Sequence, residues 1–184
     1  MLAKLSEVFH GRYIVRPLTE ADIPAILKLY RSNEHYYAAT QNNPVSKEDC
    51  VHDMTECPPG ILKSQKYYLG FCQNEELIAV MDFVERYPDA ETGYIGLFVI
   101  DRAFHGKGVG TAILIPFFRA MKERGFEKAA LACFESNAAG RRFWTKLGFT
   151  VEETVDRREG ETLRRLMKMG RPLKEPGKIT GDFI

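Results

Sequence analysis

The stretch His105-Gly106-Lys107-Gly108-Val109-Gly110-Thr111 follows the almost unbroken apolar run Tyr94-Ile95-Gly96-Leu97-Phe98-Val99-Ile100 and opens a helical pattern from about Gly108 to Arg124. An apolar run of that length reads as a central strand covered on both faces. Glycines between such a strand and a helix let successive backbone N–H groups converge on one point, beside the positive end of the helix. That is a cradle for phosphate. A tight turn needs one glycine, and three in five residues are entropically expensive. The spacing excludes the familiar nucleotide loops. Lys107 is followed by Gly108 rather than by a hydroxyl residue, and G-x-G-x-x-G fails from Gly106 (Thr111) and from Gly108 (Ile113).

The surrounding pattern predicts a mixed α/β domain, with hairpins early and a strand-helix-strand-helix core late. Tyr13 to Arg16 reads as a strand closed by Pro17, and Thr19 caps a helix that runs to about Arg31. Glu34 to Tyr37 and Ser46 to Thr55 read as short helices inside an irregular stretch, Ser32 to Lys66. Tyr67 to Cys72 and Leu77 to Val84 form a hairpin, Lys128 to Phe134 a buried strand, and Asn137 to Leu147 a helix ended by Gly148. A last hairpin, Thr150 to Asp156 with Glu161 to Met169, completes one domain over residues 1–170, leaving 171–184 as an exposed tail. Pro116 predicts a kink in the helix after the glycine loop.

Composition narrows the class of function. The chain has 184 residues and 26 basic against 25 acidic side chains, so it lacks the positive excess that nucleic-acid binding exploits. No apolar stretch approaches the roughly 20 residues that span a bilayer. The first dozen residues lack a signal-peptide core, so a cytoplasmic location is expected. The cysteines at 50, 57, 72 and 133 form no C-x-x-C pair and read as free thiols in a reducing compartment.

Two segments resemble the GNAT N-acetyltransferase superfamily. The Gln/Arg-x-x-Gly-x-Gly/Ala loop of that family falls on His105-Gly106-Lys107-Gly108-Val109-Gly110, behind a strand of the family's type. The family's Asn-initiated helix, ending aromatic-aromatic-x-Lys-x-Gly-Phe, falls on Asn137 through Phe143-Trp144-Thr145-Lys146-Leu147-Gly148-Phe149. The resemblance implies a twisted mixed sheet with helices on both faces and a splayed strand pair that holds acetyl-CoA. It implies that the N–H groups from Gly106 to Thr111 hold the pyrophosphate. Backbone groups of Phe98, Val99 and Ile100 would bond the pantetheine and the thioester carbonyl. Asn137 would bond the pantetheine from the other side, and Lys146 would approach a coenzyme A phosphate. The chain departs from the pattern twice: His105 stands where the family has Gln or Arg, and Trp144 stands where a tyrosine often serves as acid. Indole can donate a hydrogen bond but cannot protonate a leaving thiolate.

The implied reaction is attack of an amine on the thioester of acetyl-CoA, with a small-molecule amine as the expected acceptor. An alkylamine with a pKa of about 10.4 must lose a proton before it attacks. Candidate bases are Asp82, isolated among apolar neighbours, Glu85 on the same strand, and Glu91 ahead of the central strand, with a base acting through waters as a further route. His35, Tyr36 and Tyr37 are candidates to line the acceptor site, and Trp144 to pack near the acetyl group. The alternatives are a protein or peptide acceptor, and a coenzyme A-binding sensor without turnover. No metal is expected. Members of the family are often dimers, so a homodimer is one expectation for the assembly.

Overall fold

The computed structural model describes residues 9, 11–40, 43–159 and 162–173. Its strands are β1 (Ile14–Pro17), β2 (Lys66–Gln73), β3 (Glu76–Glu85), β4 (Thr92–Ile100), β5 (Lys128–Phe134), β6 (Thr150–Glu159) and β7 (Thr162–Pro172). Its helices are α1 (Ile23–Ser32), α2 (Glu34–Thr40), α3 (Lys47–Thr55), α4 (Val109–Glu123) and α5 (Ala138–Lys146). The strands form one sheet in the order β1-β2-β3-β4-β5-β7-β6. Only β4 and β5 run parallel, because α4 carries the chain back between them, whereas the other neighbours pair antiparallel.

Local chemistry sets the helix starts. Ser46 Oγ accepts from Asp49 N while Asp49 returns a bond to Ser46 N, a reciprocal cap on α3. Thr19 and Asp22 make the same arrangement ahead of α1, reinforced by Arg16 at 2.6 Å from Asp22. Gly108, in left-handed conformation (φ 74°), begins α4, which continues through Pro116 as one helix.

Side chains alternate across the sheet and feed two cores. Met81, Phe83, Ile95, Leu131, Met167 and Met169 pack with Ile113, Leu114 and Phe117 of α4 and with Trp144 of α5. Tyr68, Val80 and Val99 pack on the opposite face with Ile26 and Tyr30 of α1, Tyr37 of α2 and Cys50 of α3. The helices α1 and α4 therefore cover opposite faces of the sheet.

The final strand runs further than its pattern predicts. β7 continues to Pro172, Arg171 lies over the Phe118 ring at 4.6 Å, and Leu173 is buried with its N–H bonded to the Glu127 carbonyl. The boundary expected at residue 170 is thus too early. Pro172 ends the ladder opposite Lys128. Residues 174–184 lie outside the described ones.

Candidate active site

The site begins where two neighbouring strands part. Pairing of β4 with β5 runs from Thr92–Lys128 to Ile95–Leu131 and stops there, while β4 stays paired with β3 to Ile100 and β5 with β7 to Phe134. A bulge lies at the parting point: Asp82 faces Leu97 and Phe83 faces Ile95, so Gly96 is the extra residue. A bulge bends its strand and increases its twist, which turns the end of β4 away from β5.

Register decides which backbone groups face this gap. Asp101 N donates to Ile78 O at 2.8 Å, and alternation along an antiparallel ladder then directs the groups of Val99 toward β3. Phe98 and Ile100 point the other way, into the gap. The Ile100 carbonyl is already engaged, by Asn33 Nδ2 and by His105 Nε2, both at 2.9 Å. A carbonyl only accepts, so His105 carries its proton on Nε2 and ties the glycine loop to the strand end. The Phe98 N–H and carbonyl and the Ile100 N–H remain for a ligand. Val99 does not, which corrects its expected place beside Phe98 and Ile100.

The three glycines of the loop serve different ends. Gly106 and Gly108 adopt φ of 72° and 74°, a region that favours glycine, and both are open to solvent around the missing Cβ. Gly110 has ordinary φ, but a Cβ there would lie 2.8 Å from Phe143 and 3.0 Å from Ile100, so it lets α4 approach α5 and β4. Gly108 caps α4 without a side chain, and Ala112 N is the first to bond back, to the Gly108 carbonyl. The N–H groups of Val109, Gly110 and Thr111 therefore open onto the helix end, with no acidic residue in the first turn. Lys107 lies exposed over the Phe104 ring at 5.8 Å. These residues fit an anionic pyrophosphate.

On the α1–α3 face, the same bulge carries a buried charge. The Asp82 carboxylate lies over Gly96, in the space a Cβ would fill. Lys66 Nζ is 2.8 Å away, and the two side chains are only 14% and 6% exposed. Burial nevertheless dominates, pushing the Asp82 carboxyl from 3.8 to about 6 against the pull of Lys66. Beside this pair, Tyr30 donates to Asp53 at 2.8 Å and so accepts from Tyr68 at 2.6 Å. Burial raises the Asp53 carboxyl as well. Tyr37 packs on Tyr30 and on Tyr36, its ring centroids 5.0 and 4.9 Å from theirs.

The profile of the Acetyltransferase (GNAT) family matches residues 24–149. The chain belongs to this family. No curated protein matches the sequence. Among solved structures, an acetyltransferase from Thermus thermophilus is similar at 22% identity and a TM-score of 0.68, over 87% of this chain and 96% of that one. The ribosomal-protein-S18-alanine N-acetyltransferase of Escherichia coli is similar at 17% identity and 0.62, over 93% and 99%. A PaiA N-acetyltransferase from Thermoplasma acidophilum, in complex with coenzyme A, is similar at 19% and 0.62, over 87% and 98%. As a GNAT protein this chain is an acyltransferase that uses acetyl-CoA. Among the described residues, no helix is long and apolar enough to cross a membrane, and no cluster of His, Cys, Asp or Glu has the makings of a metal site.

The remaining expected residues of the GNAT site fall in several places. Asn137 caps α5, its Oδ1 accepting from Gly140 N at 2.9 Å, which leaves its amide N–H groups for a ligand. Lys146 is exposed in the last turn of α5. Trp144 is buried, its ring centroid 5.0 to 6.2 Å from those of Phe143, Phe149 and Phe98, so packing is the role its surroundings give it. Glu85 lies at the far end of β3, opposite Gly93, and pairs with Arg124 at 2.7 Å. It is thereby set apart from the gap, contrary to its candidacy as base. Glu91 is exposed at the same far end, its carbonyl bonded by Glu127 and Lys128. His35 is exposed on α2, while Tyr36 and Tyr37 join the cluster near Asp53. Cys133 is buried, with a thiol pushed up to about 11, which makes it a poor nucleophile.

Three contributors were missed in the sequence. Lys66 and Asn33 sit at the edges of the irregular stretch, where no periodicity marks a facing partner. Gly96 is a lone glycine inside a strand pattern, a recognised sign of a bulge, and that signal was available.

Proposed function

We propose that this chain transfers acetyl from acetyl-CoA to the amine of a small molecule, with Asp82 as the base that takes the amine's proton. The observation that carries this reading is the Asp82 carboxylate at the parting of β4 and β5, buried on the α1–α3 face and held near 6. At neutral pH most of it is ionised, and a base with a pKa close to the working pH accepts a proton efficiently. Acetyl-CoA supplies the thioester. The Phe98 and Ile100 N–H groups would polarise its carbonyl from the gap, and the Gly106–Thr111 loop would hold its pyrophosphate. Lys66 keeps Asp82 oriented, and the helices α1 to α3 restrict water at the reacting face. A small acceptor is favoured by the crowding of Tyr30, Tyr37 and Tyr68 on that face.

The test is release of free thiol from acetyl-CoA across a panel of small amines and peptides, with the pH dependence of kcat/KM for the best acceptor. The reading expects a small amine to be acetylated, an acidic limb near pH 6, and loss of that limb in Asp82→Asn. A peptide as the sole acceptor would refute the small-molecule assignment. An unchanged limb in Asp82→Asn would remove Asp82 as the base.

A further inference from the structure

The end of β4 is held by side chains where a neighbouring strand would otherwise hold it. Pairing with β5 stops at Ile95, yet the Ile100 carbonyl on the gap side takes two hydrogen bonds. His105 reaches it from the loop that enters α4, and Asn33 from the end of α1, so the two donors come from the helices of opposite faces. A carbonyl oxygen has two lone pairs, and these donors fill them. Asn33 is buried, and its Nδ2 donates to the Leu29 carbonyl at 3.0 Å as well as to Ile100 at 2.9 Å, with Ser32 Oγ 3.1 Å away. The helix end does not require that side chain. Ser32 Oγ donates to the same Leu29 carbonyl at 2.7 Å, and the Asn33 N–H is bonded to the Tyr30 carbonyl. What the Asn33 amide adds is the reach to β4.

That reach acts on the Ile100 N–H. The peptide unit between Val99 and Ile100 turns its carbonyl to β3 and its N–H to the gap. The next unit turns its N–H to the Ile78 carbonyl at 2.8 Å and its own carbonyl to Asn33 and His105. With both sides of the second unit held, rotation about Ile100 is fixed, and with it the direction of the N–H ahead. Without Asn33 the clamp is one-sided. The Asn33 carbonyl also accepts from Tyr36 N at 2.9 Å, so α2 starts from the same residue. One buried residue thus joins the strand end at the gap to the helices that carry Tyr30, Tyr36 and Tyr37.

We infer that Asn33 is a positioning residue for the acyl transfer: through the Ile100 carbonyl it aims the Ile100 N–H at the thioester and keeps that donor in register with the acceptor-side helices. This rests on the transfer reading above, in which the Phe98 and Ile100 N–H groups polarise the thioester, and it adds the residue that keeps one of them aimed. Asn33 acts through Ile100 and not on the substrates themselves.

The experiment is isotope-edited infrared spectroscopy of acetyl-CoA, labelled with carbon-13 at the acetyl carbonyl and bound without an acceptor, in the wild type, Asn33→Ala and Asn33→Leu. Donors on a carbonyl lower its stretching frequency, so the wild-type band should lie below that of free acetyl-CoA. Both variants should lose most of that lowering, yet bind acetyl-CoA as the wild type does by calorimetry, because the loop that holds the pyrophosphate is untouched. Ile100 keeps His105 and Leu29 keeps Ser32 in both, and Leu fills the space of Asn without its donor. With the best acceptor, kcat should fall by about 10- to 100-fold at little change in KM for acetyl-CoA, the cost of a misaimed group. A wild-type band at the free position would refute the thioester donors, and this inference with them. A lowered wild-type band that persists in Asn33→Leu would make Asn33 a packing residue and refute this inference alone.

Discussion

Replacing Asp82 by Asn should make the protein about 100-fold slower or worse, and more stable at once. In the folded chain the carboxyl titrates near 6 instead of 3.8, with burial as the main cause. Between those values the folded state binds more protons than the unfolded state, so this group's contribution to stability is present at about pH 4 and is lost as pH rises through 6. Two pKa units correspond to roughly 3 kcal/mol. An Asn carries no charge at any pH and escapes that cost, even though Lys66 loses its partner, because the raised pKa already includes the attraction of Lys66. For a chain of this length each kcal/mol moves Tm by about 2–4 °C. Asp82→Asn should therefore melt about 6–12 °C above the wild type at pH 8 and together with it at pH 4. Thermal unfolding by circular dichroism at both pH values, with thiol release at pH 8, reads the two effects. A variant less stable than the wild type at pH 8 would show that the Lys66–Asp82 pair is a net stabiliser, and the argument for a base near 6 would fall with it.

Other substitutions probe the geometry around this carboxylate and the loop. Gly96→Ala puts a methyl where the Asp82 carboxylate lies, and a misplaced catalytic group costs on the order of 100-fold, so kcat should fall by about that factor while acetyl-CoA still binds by calorimetry. Gly108→Ala forces a Cβ into the left-handed region at a cost of roughly 1–2 kcal/mol, and should raise KM for acetyl-CoA more than it lowers kcat. Trp144→Phe should lower stability by about 1–3 kcal/mol through lost packing and leave kcat within a few-fold, whereas a large drop in kcat would give Trp144 a part in the chemistry.

The parts legible in the sequence were those with a local signal. The glycine loop declared itself because strand, glycines and helix are adjacent in the chain, and Asp82 because a lone charge in an apolar strand is conspicuous. Thr19 and Ser46 marked the starts of their helices as capping residues. What stayed hidden depends on partners far apart in sequence. Lys66 reaches Asp82 across the β2–β3 ladder, Asn33 reaches Ile100 across 67 residues, and Glu85 meets Arg124 only once α4 has folded back. Val99 was placed with its neighbours because a pattern cannot tell which residues of a strand turn their backbone toward the gap. Register settles that, and register depends on the bulge at Gly96.

The most direct test of the account is amide hydrogen exchange, residue by residue, with and without acetyl-CoA. The amides of Phe98, Ile100 and Gly106 to Thr111 should gain protection, while Val99, already committed to β3, should change little. Protection concentrated instead around Asp89 to Thr92, at the opposite end of β4, would contradict the placement of the site.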